Sequence, residues 1–369
     1  MNSPWPGAAA KDAPPMMRVT VSGGAFRRND GAALMSTATD WSRMAGGNGT
    51  WASTDPLRHS ADFDLTSATF EDHSSGAPAV WLRWPRRVTA TNCTARNTTG
   101  AVWLDQVRDS ATLQDCTFTG NPLPAQLWLD LQAFYAVAPQ EGIPFLTHMG
   151  AGVHAGVTIH MSPLGSNPNA ATVTNCRFEE SAAYMMGTLW ISGTEMVLPS
   201  QNDLAGRTAV RLAGTNFTRN YSRRMAWDNA TSYAPGAKCL TGERPLFVYA
   251  ADSIAVDKCR FEGNRMGGAL LDTSGGFAVS DSTFVGNALT YDFVGLFADY
   301  SPVYLREVFA TVMAQNGFIN NSAPNGNGGA MSVDKTDRDS KSPIPLLSNW
   351  DSCRFVGNSA GTWVARVGR

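Results

Sequence analysis

Ile254-Ala255-Val256-Asp257-Lys258-Cys259-Arg260-Phe261-Glu262-Gly263-Asn264 is followed, after twelve intervening residues, by Phe277-Ala278-Val279-Ser280-Asp281-Ser282-Thr283-Phe284-Val285-Gly286-Asn287. Both read apolar, x, apolar, x, x, small, x, Phe, x, x, Asn. The phrase occurs ten times between Val19 and the C-terminus. Its Phe slot holds Phe26, Phe70, Phe118, Phe178, Phe217, Phe261, Phe284, Phe318 and Phe355, with Ala95 in the remaining copy. Its Asn slot holds Asn29, Asn121, Asn220, Asn264, Asn287, Asn321 and Asn358. A sustained internal period is the signature of a stacked repeat architecture.

Within a copy the apolar residues alternate with period two, as in a strand. The step of three before the small residue breaks the alternation once and predicts a bend between two short strands. The closest copies, Cys93 to Cys116 and Phe261 to Phe284, are spaced for one turn of a parallel solenoid with three short strands and three bends. The expected fold is therefore all-β, a right-handed single-stranded parallel β-helix of about ten turns with loop insertions. Turns stacked at roughly 4.8 Å give a rod of roughly 50 Å. The structural ladder is expected to comprise the rings of Phe118, Phe178, Phe217, Phe261, Phe284, Phe318 and Phe355, and the amides of Asn121, Asn220, Asn264, Asn287, Asn321 and Asn358. The Asn column is expected at a bend, where Asn accepts left-handed backbone and each amide bonds its neighbours. The small column (Gly24, Ala68, Cys93, Cys116, Cys176, Thr215, Cys259, Ser282, Asn316, Cys353) predicts a tight inward corner.

A second element follows many copies, as in Gly100-Ala101-Val102-Trp103, Gly187-Thr188-Leu189-Trp190, Gly267-Gly268-Ala269 and Gly328-Gly329-Ala330. It reads as a glycine bend feeding the next strand of the same turn. Phe-x-x-Asn followed by Gly-Gly-Ala-aliphatic resembles the repeat of the chlamydial polymorphic outer-membrane proteins. That resemblance implies a β-helix exposed at a cell surface and engaged in adhesion.

Residues 1–16, rich in Pro and Ala, are expected to form a disordered tail, and residues 17–369 one β-helix domain. With no end cap evident and the pattern breaking off part-way into a further turn, the domain is expected to be incomplete at its C-terminus. No apolar stretch is long enough to span a membrane. A net charge of −2 gives no reason to expect nucleic acid. Charged residues make up 16% of the chain, fewer than in most globular proteins, as a solenoid with few ion pairs predicts. Long gaps between copies mark insertions, among them a short helix expected over 126–134. Arg83-Trp84-Pro85-Arg86-Arg87 is expected to be a solvated bend.

Five of the six cysteines occupy the small column, and Cys239 lies in an insertion. Parallel inward side chains favour free thiols over a Cys93–Cys116 disulfide. Sequons stand at Asn48, Asn92, Asn97, Asn216, Asn220, Asn229 and Asn320. Asn48, Asn92, Asn216 and Asn229 are the candidate glycosylation sites, whereas Asn220 belongs to the buried column.

Many β-helices cleave acidic polysaccharides, which requires a strong base beside a charge-neutralising group, or two carboxylates at a set separation. No such pair falls on adjacent turns of the outward positions beside the Phe column, so no catalytic residue is assigned. Lys258 and Asp281 are expected to form a surface ion pair. Asp105 has Arg83 at the matching position of the preceding copy and reads as repeat sequence. His148, His154 and His160 recur every six residues, too widely spaced along a strand for one metal ion. Thr69, Thr94 and Thr117 make too short a stack to bind ice. No cofactor is expected. The expected function is a non-enzymatic extracellular or cell-surface module, adhesin-like or structural, that binds a surface receptor or polysaccharide through its insertions. The alternative is a polysaccharide lyase or glycoside hydrolase.

Overall fold

The computed structural model describes residues 17–29, 32–36, 61–73, 78–98, 100–121, 156–161, 169–183, 187–193, 208–222, 244–249, 251–265, 268–288, 301–324, 328–334 and 347–361. Among them there is no helix, and every strand pairing is parallel. The tail 1–16, the helix expected over 126–134, Cys239, His148, His154, Asn48 and Asn229 all lie outside the described residues.

The strands fall into three stacks. The first face begins Met17–Ser22, Ala61–Thr66, Arg87–Thr91, Ser110–Gln114 and ends with Leu347–Asp351. The second face is a ten-stranded sheet of three-residue strands running from Ala25–Arg27 to Arg354–Val356. The third face runs from Leu34–Ser36 through Val80–Arg83, Val102–Val107, Val157–Met161, Leu189–Ser192 and Leu246–Tyr249 to Met331–Asp334. Ala269–Ser280 and Val303–Ala314 run without a break from the third face into the next turn's first face. The chain is thus a parallel β-solenoid, and crossovers between parallel strands take the right hand almost without exception.

The core is a set of columns. Phe118, Phe178, Phe217, Phe261, Phe284, Phe318 and Phe355 stack nearly parallel, with ring centroids 4.6 to 4.9 Å apart. That spacing is the strand-pairing distance, so the rings take their offset stack from the backbone repeat. Phe26 and Phe70 form a separate pair at 5.2 Å, and Ala95 stands in the register between Phe70 and Phe118.

From Asn220 to Asn321 each Asn of the second column makes the same bonds, whereas Asn121, followed in the next turn by Ser181, has its Nδ2 buried without a partner. Asn264 Nδ2 donates to Phe217 O in the turn before (2.9 Å) and to Asn287 Oδ1 in the turn after (2.8 Å). Its backbone N–H also donates to Asn287 Oδ1, at 3.2 Å. Asn220, Asn287 and Asn321 repeat the pattern. Copies without Asn find substitutes: His73 Nε2 lies 3.1 Å from Phe26 O, and Thr98 N–H and Ser181 N–H donate to Asn121 Oδ1 and Asn220 Oδ1.

The left-handed backbone is not at the Asn column, as the sequence suggested, but one residue earlier: Arg28, Asp72, Asn97, Glu180, Arg219 and Asn320 have φ of 50 to 56°, and Gly120, Gly263, Gly286 and Gly357 take the other copies. The Asn itself must keep ordinary backbone so that its side chain turns inward along the stack. The other corner behaves alike: Ser67, Asn92, Asp115, Asn175, Lys258, Asp281, Gln315 and Ser352 have positive φ immediately before the small residue, with Gly23 and Gly214 in the remaining turns. From Gly23 to Gln315 each such residue sends its N–H to the carbonyl of the next turn, as Lys258 does to Ser280 O at 3.0 Å.

The small column is also a polar ladder. Ser282 Oγ accepts from Cys259 N–H (3.0 Å), Asn316 Oδ1 from Ser282 N–H (3.0 Å), and Cys116 Sγ from Cys93 N–H (3.4 Å). Cys93, Cys116, Cys176, Cys259 and Cys353 are free thiols.

Candidate functional site

The three faces differ in how they are joined. Between the first and second faces the chain always spends two residues, from Gly23-Gly24 to Ser352-Cys353. All length variation falls at the two corners bordering the third face. Thr119 to Val157 and Thr218 to Leu246 separate the second face from the third, and Ser192 to Thr208 and Asp334 to Leu347 separate the third from the next turn.

The outward side of the third face also differs in composition. Its strands carry a recurring aliphatic–aromatic–aliphatic triplet: Val80-Trp81-Leu82, Val102-Trp103-Leu104, Leu189-Trp190-Ile191, Leu246-Phe247-Val248 and Val303-Tyr304-Leu305. The aliphatic residues enter the core. The middle residues stand in register, and Trp81, Trp103, Thr158, Trp190, Phe247 and Tyr304 form one outward row. Two positions on, a polar row reads Arg83, Asp105, His160, Ser192 and Tyr249.

The rows interlock. The indoles of Trp81 and Trp103 stack at 5.3 Å and 2°. The His160 ring meets Trp190 edge-on at 4.3 Å and Trp103 at 6.5 Å. Asp105 lies between Arg83 Nε (3.1 Å) and His160 Nδ1 (3.6 Å), with all three side chains less than a fifth exposed. A bulge sits beside this group, where Gln106 takes φ 60° and the pairing with Val157–Met161 slips. Bulges of this kind re-aim side chains next to sites. Gln106 Oε1 and Thr158 Oγ1 are buried without a hydrogen-bond partner.

Outward Trp103, Thr158, Trp190, Ser192, Phe247 and Tyr304 on this face are buried, Trp190 at 1% exposure and Phe247 at 7%, while Trp81, Arg83, Asp105, His160 and Tyr249 are partly so. On the first face the outward Arg211, Ala255 and Ala278 are exposed, and on the second Arg177, Arg260 and Arg354 are. Gly187 marks how tight the entry is: a Cβ there would meet Leu189 O at 2.6 Å and Arg244 O at 2.8 Å.

Two expectations about charge are corrected. The Arg83–Arg87 segment is not a solvated bend: Arg83 pairs with Asp105, Arg86 makes a two-pronged bond to Asp62 at 2.6 and 2.8 Å, and Arg87 faces Asp109 at 3.6 Å. Carboxylates of neighbouring turns lie close enough to hold the guanidinium groups down, and the Asp62 hydrogen bond raises the Arg86 pKa. Lys258 pairs with its neighbour Asp257 at 4.0 Å rather than with Asp281.

Among the candidate glycosylation sites, Asn92 is exposed at a left-handed corner, its amide donating to Ser67 Oγ, and Asn216 is half-buried on the second face. Asn220 is fully buried in the ladder. Thr69, Thr94 and Thr117 stand in register on the second face. Among the described residues no group of three His, Cys, Asp or Glu is placed to hold a metal, and no helix is long and apolar enough to cross a membrane.

No protein-family model, curated protein or solved structure matches this chain.

Proposed function

We propose that the protein is an extracellular or cell-surface β-solenoid module that binds a glycan or surface receptor along its third face. The observation that carries this reading is topological: every insertion borders that face, and its outward rows set aromatic side chains beside hydrogen-bonding and charged ones. A rigid strand scaffold with variable connections is the usual way a solenoid presents a binding surface, and aromatic rings beside polar groups suit an amphipathic ligand. The Phe-x-x-Asn and Gly-Gly-Ala repeats, with their resemblance to chlamydial surface proteins, support the location. The test is binding of the purified chain to a broad glycan panel and to intact cells, compared with Trp81→Ala and with a variant whose 122–155 segment is shortened. The reading expects saturable binding that both changes weaken. No binding, or binding indifferent to both changes, overturns it.

One observation favours a second reading, a polysaccharide lyase or glycoside hydrolase: Asp105 is held between a guanidinium and an imidazole in a nearly buried setting. Reducing-end release from neutral and acidic polysaccharides, abolished in Asp105→Asn, would establish it. No release from any polysaccharide leaves the binding module.

A further inference from the structure

The outward side of the first face carries one chemistry in its early turns and another later. Thr89, Thr112 and Thr172 stand in register in one outward column. Two residues on, Thr66, Thr91 and Thr174 share a second column, with Gln114 on the rung between the last two. None of these seven residues is buried. In the four turns that follow neither column holds a Thr, and the first reads Arg211, Ala255, Ala278 and Val312. Strand propensity favours Thr on every rung alike, so it does not account for that confinement. Asp64, bonded to Arg18, bounds the first column on one side and Arg211 bounds it on the other, and no charged or aromatic side chain stands between them. The edge toward the second face is free of insertions, since each turn spends two residues there.

We propose that this part of the first face binds ice. The ligand is argued from the regularity of the two columns. Hydroxyls repeat at roughly 4.8 Å along each column and roughly 6.6 Å across from one to the other. Both repeats lie close to those of the oxygen atoms on the prism faces of hexagonal ice. Sheets ordinarily twist, and flat ones are held by stacking or by side-chain ladders. Here the columns in the same turns do that: Trp81 and Trp103 lie within 2° of parallel, and Phe118 and Phe178 within 16°. A β-branched side chain is stiff at χ1, so each Thr presents its hydroxyl and methyl with little ordering cost on binding. A ligand without a lattice gains nothing from such a repeat. A sugar chain would seek rings to stack on, and those stand on the third face. The second-face stack of Thr69, Thr94 and Thr117 is a single column; the first face supplies the two columns side by side that a lattice plane requires.

The 369-residue chain, fluorescently labelled, is tested for incorporation into a slowly growing ice crystal and for inhibition of ice recrystallisation. The expected result is enrichment in the ice and arrested recrystallisation. Thr112→Lys sets a long charged side chain at the centre of the array and weakens both about tenfold, as a protrusion at the centre of a flat contact does. Thr91→Lys, in the second column, does the same. Ala278→Lys, on the same face beyond the array, changes neither. All three positions point outward, and circular dichroism checks that each variant keeps its strands. Exclusion of the parent chain from ice overturns the proposal. So does ice affinity that Thr112→Lys and Thr91→Lys leave intact, or that Ala278→Lys reduces equally. Binding to crystalline cellulose or chitin that Thr112→Lys abolishes, without affinity for ice, assigns the array to a polysaccharide and overturns it too.

Discussion

Asn264 and Asn287 lie 23 residues apart in sequence, yet the amide of one donates to the oxygen of the other at 2.8 Å, with both side chains fully buried. From Asn220 to Asn321 the pairing makes the Asn column self-sufficient: each side chain is donor upward and downward and acceptor from below. Burying an amide without partners is costly, so the column is tolerated only because it repeats.

Asn264→Ala breaks that chain at one rung. It leaves Asn220 N–H and Nδ2 without their acceptor and Phe217 O without its donor. The expected loss is about 1–3 kcal/mol, read as a lowered melting temperature or denaturant midpoint. Equal midpoints for variant and parent would remove the ladder from the account of stability.

Ser282 does the same work at the opposite corner. Ser282→Ala leaves Cys259 N–H without an acceptor and is expected to cost about 1–3 kcal/mol. Ser282→Cys restores an acceptor of the kind Cys116 supplies to Cys93, and should recover most of that loss. Equal stability of the Ala and Cys variants would mean that the column selects for size alone.

Lys258 is exposed, and its only structural demand is its left-handed backbone, φ 51°. Lys258→Val places a branched Cβ in that conformation and is expected to destabilise the chain by about 1–2 kcal/mol. Lys258→Asn is expected to be at least neutral, as Asn92 and Asn175 occupy the same column. Chemical denaturation of the two variants decides it, and a Val variant as stable as the parent counts against the corner.

The cysteine column predicts alkaline sensitivity. Burial pushes the Cys259 thiol up to about 12 from 9.0, whereas the Cys116–Cys176 bond raises Cys116 and lowers Cys176, so Cys259 carries the effect. Its raised folded pKa means that it contributes full stability below pH 9 and loses it as pH climbs toward about 12, because the unfolded chain releases its proton first. Stability measured against pH should fall across that window, and less steeply in Cys259→Ala. Aromatic disulfide reagents should titrate Cys259 only on unfolding. Reaction of Cys259 in the native chain at neutral pH would contradict its burial.

Much of this was legible in the residues. The Phe-x-x-Asn phrase determined the parallel stack, the ring column and the identity of the buried amides, because a side chain repeated at one slot of an eleven-residue unit must meet its own kind when the units stack. The corner chemistry was only half legible. Cys, Ser, Thr and Asn in the small column looked like a limit on volume, and only the hydrogen bonds show that the slot asks for an acceptor too.

The third face was left to the tertiary structure. Its strands are reached across connections of very different length, so spacing along the chain carries no information about which residues become neighbours. Thr158 comes to lie between Trp103 and Trp190, and Asp105 between Arg83 and His160, because backbone pairing aligns strands whatever chain length separates them. The sequence by itself determined what each turn is made of. Which outward side chains meet was decided by the stacking of one turn on the next.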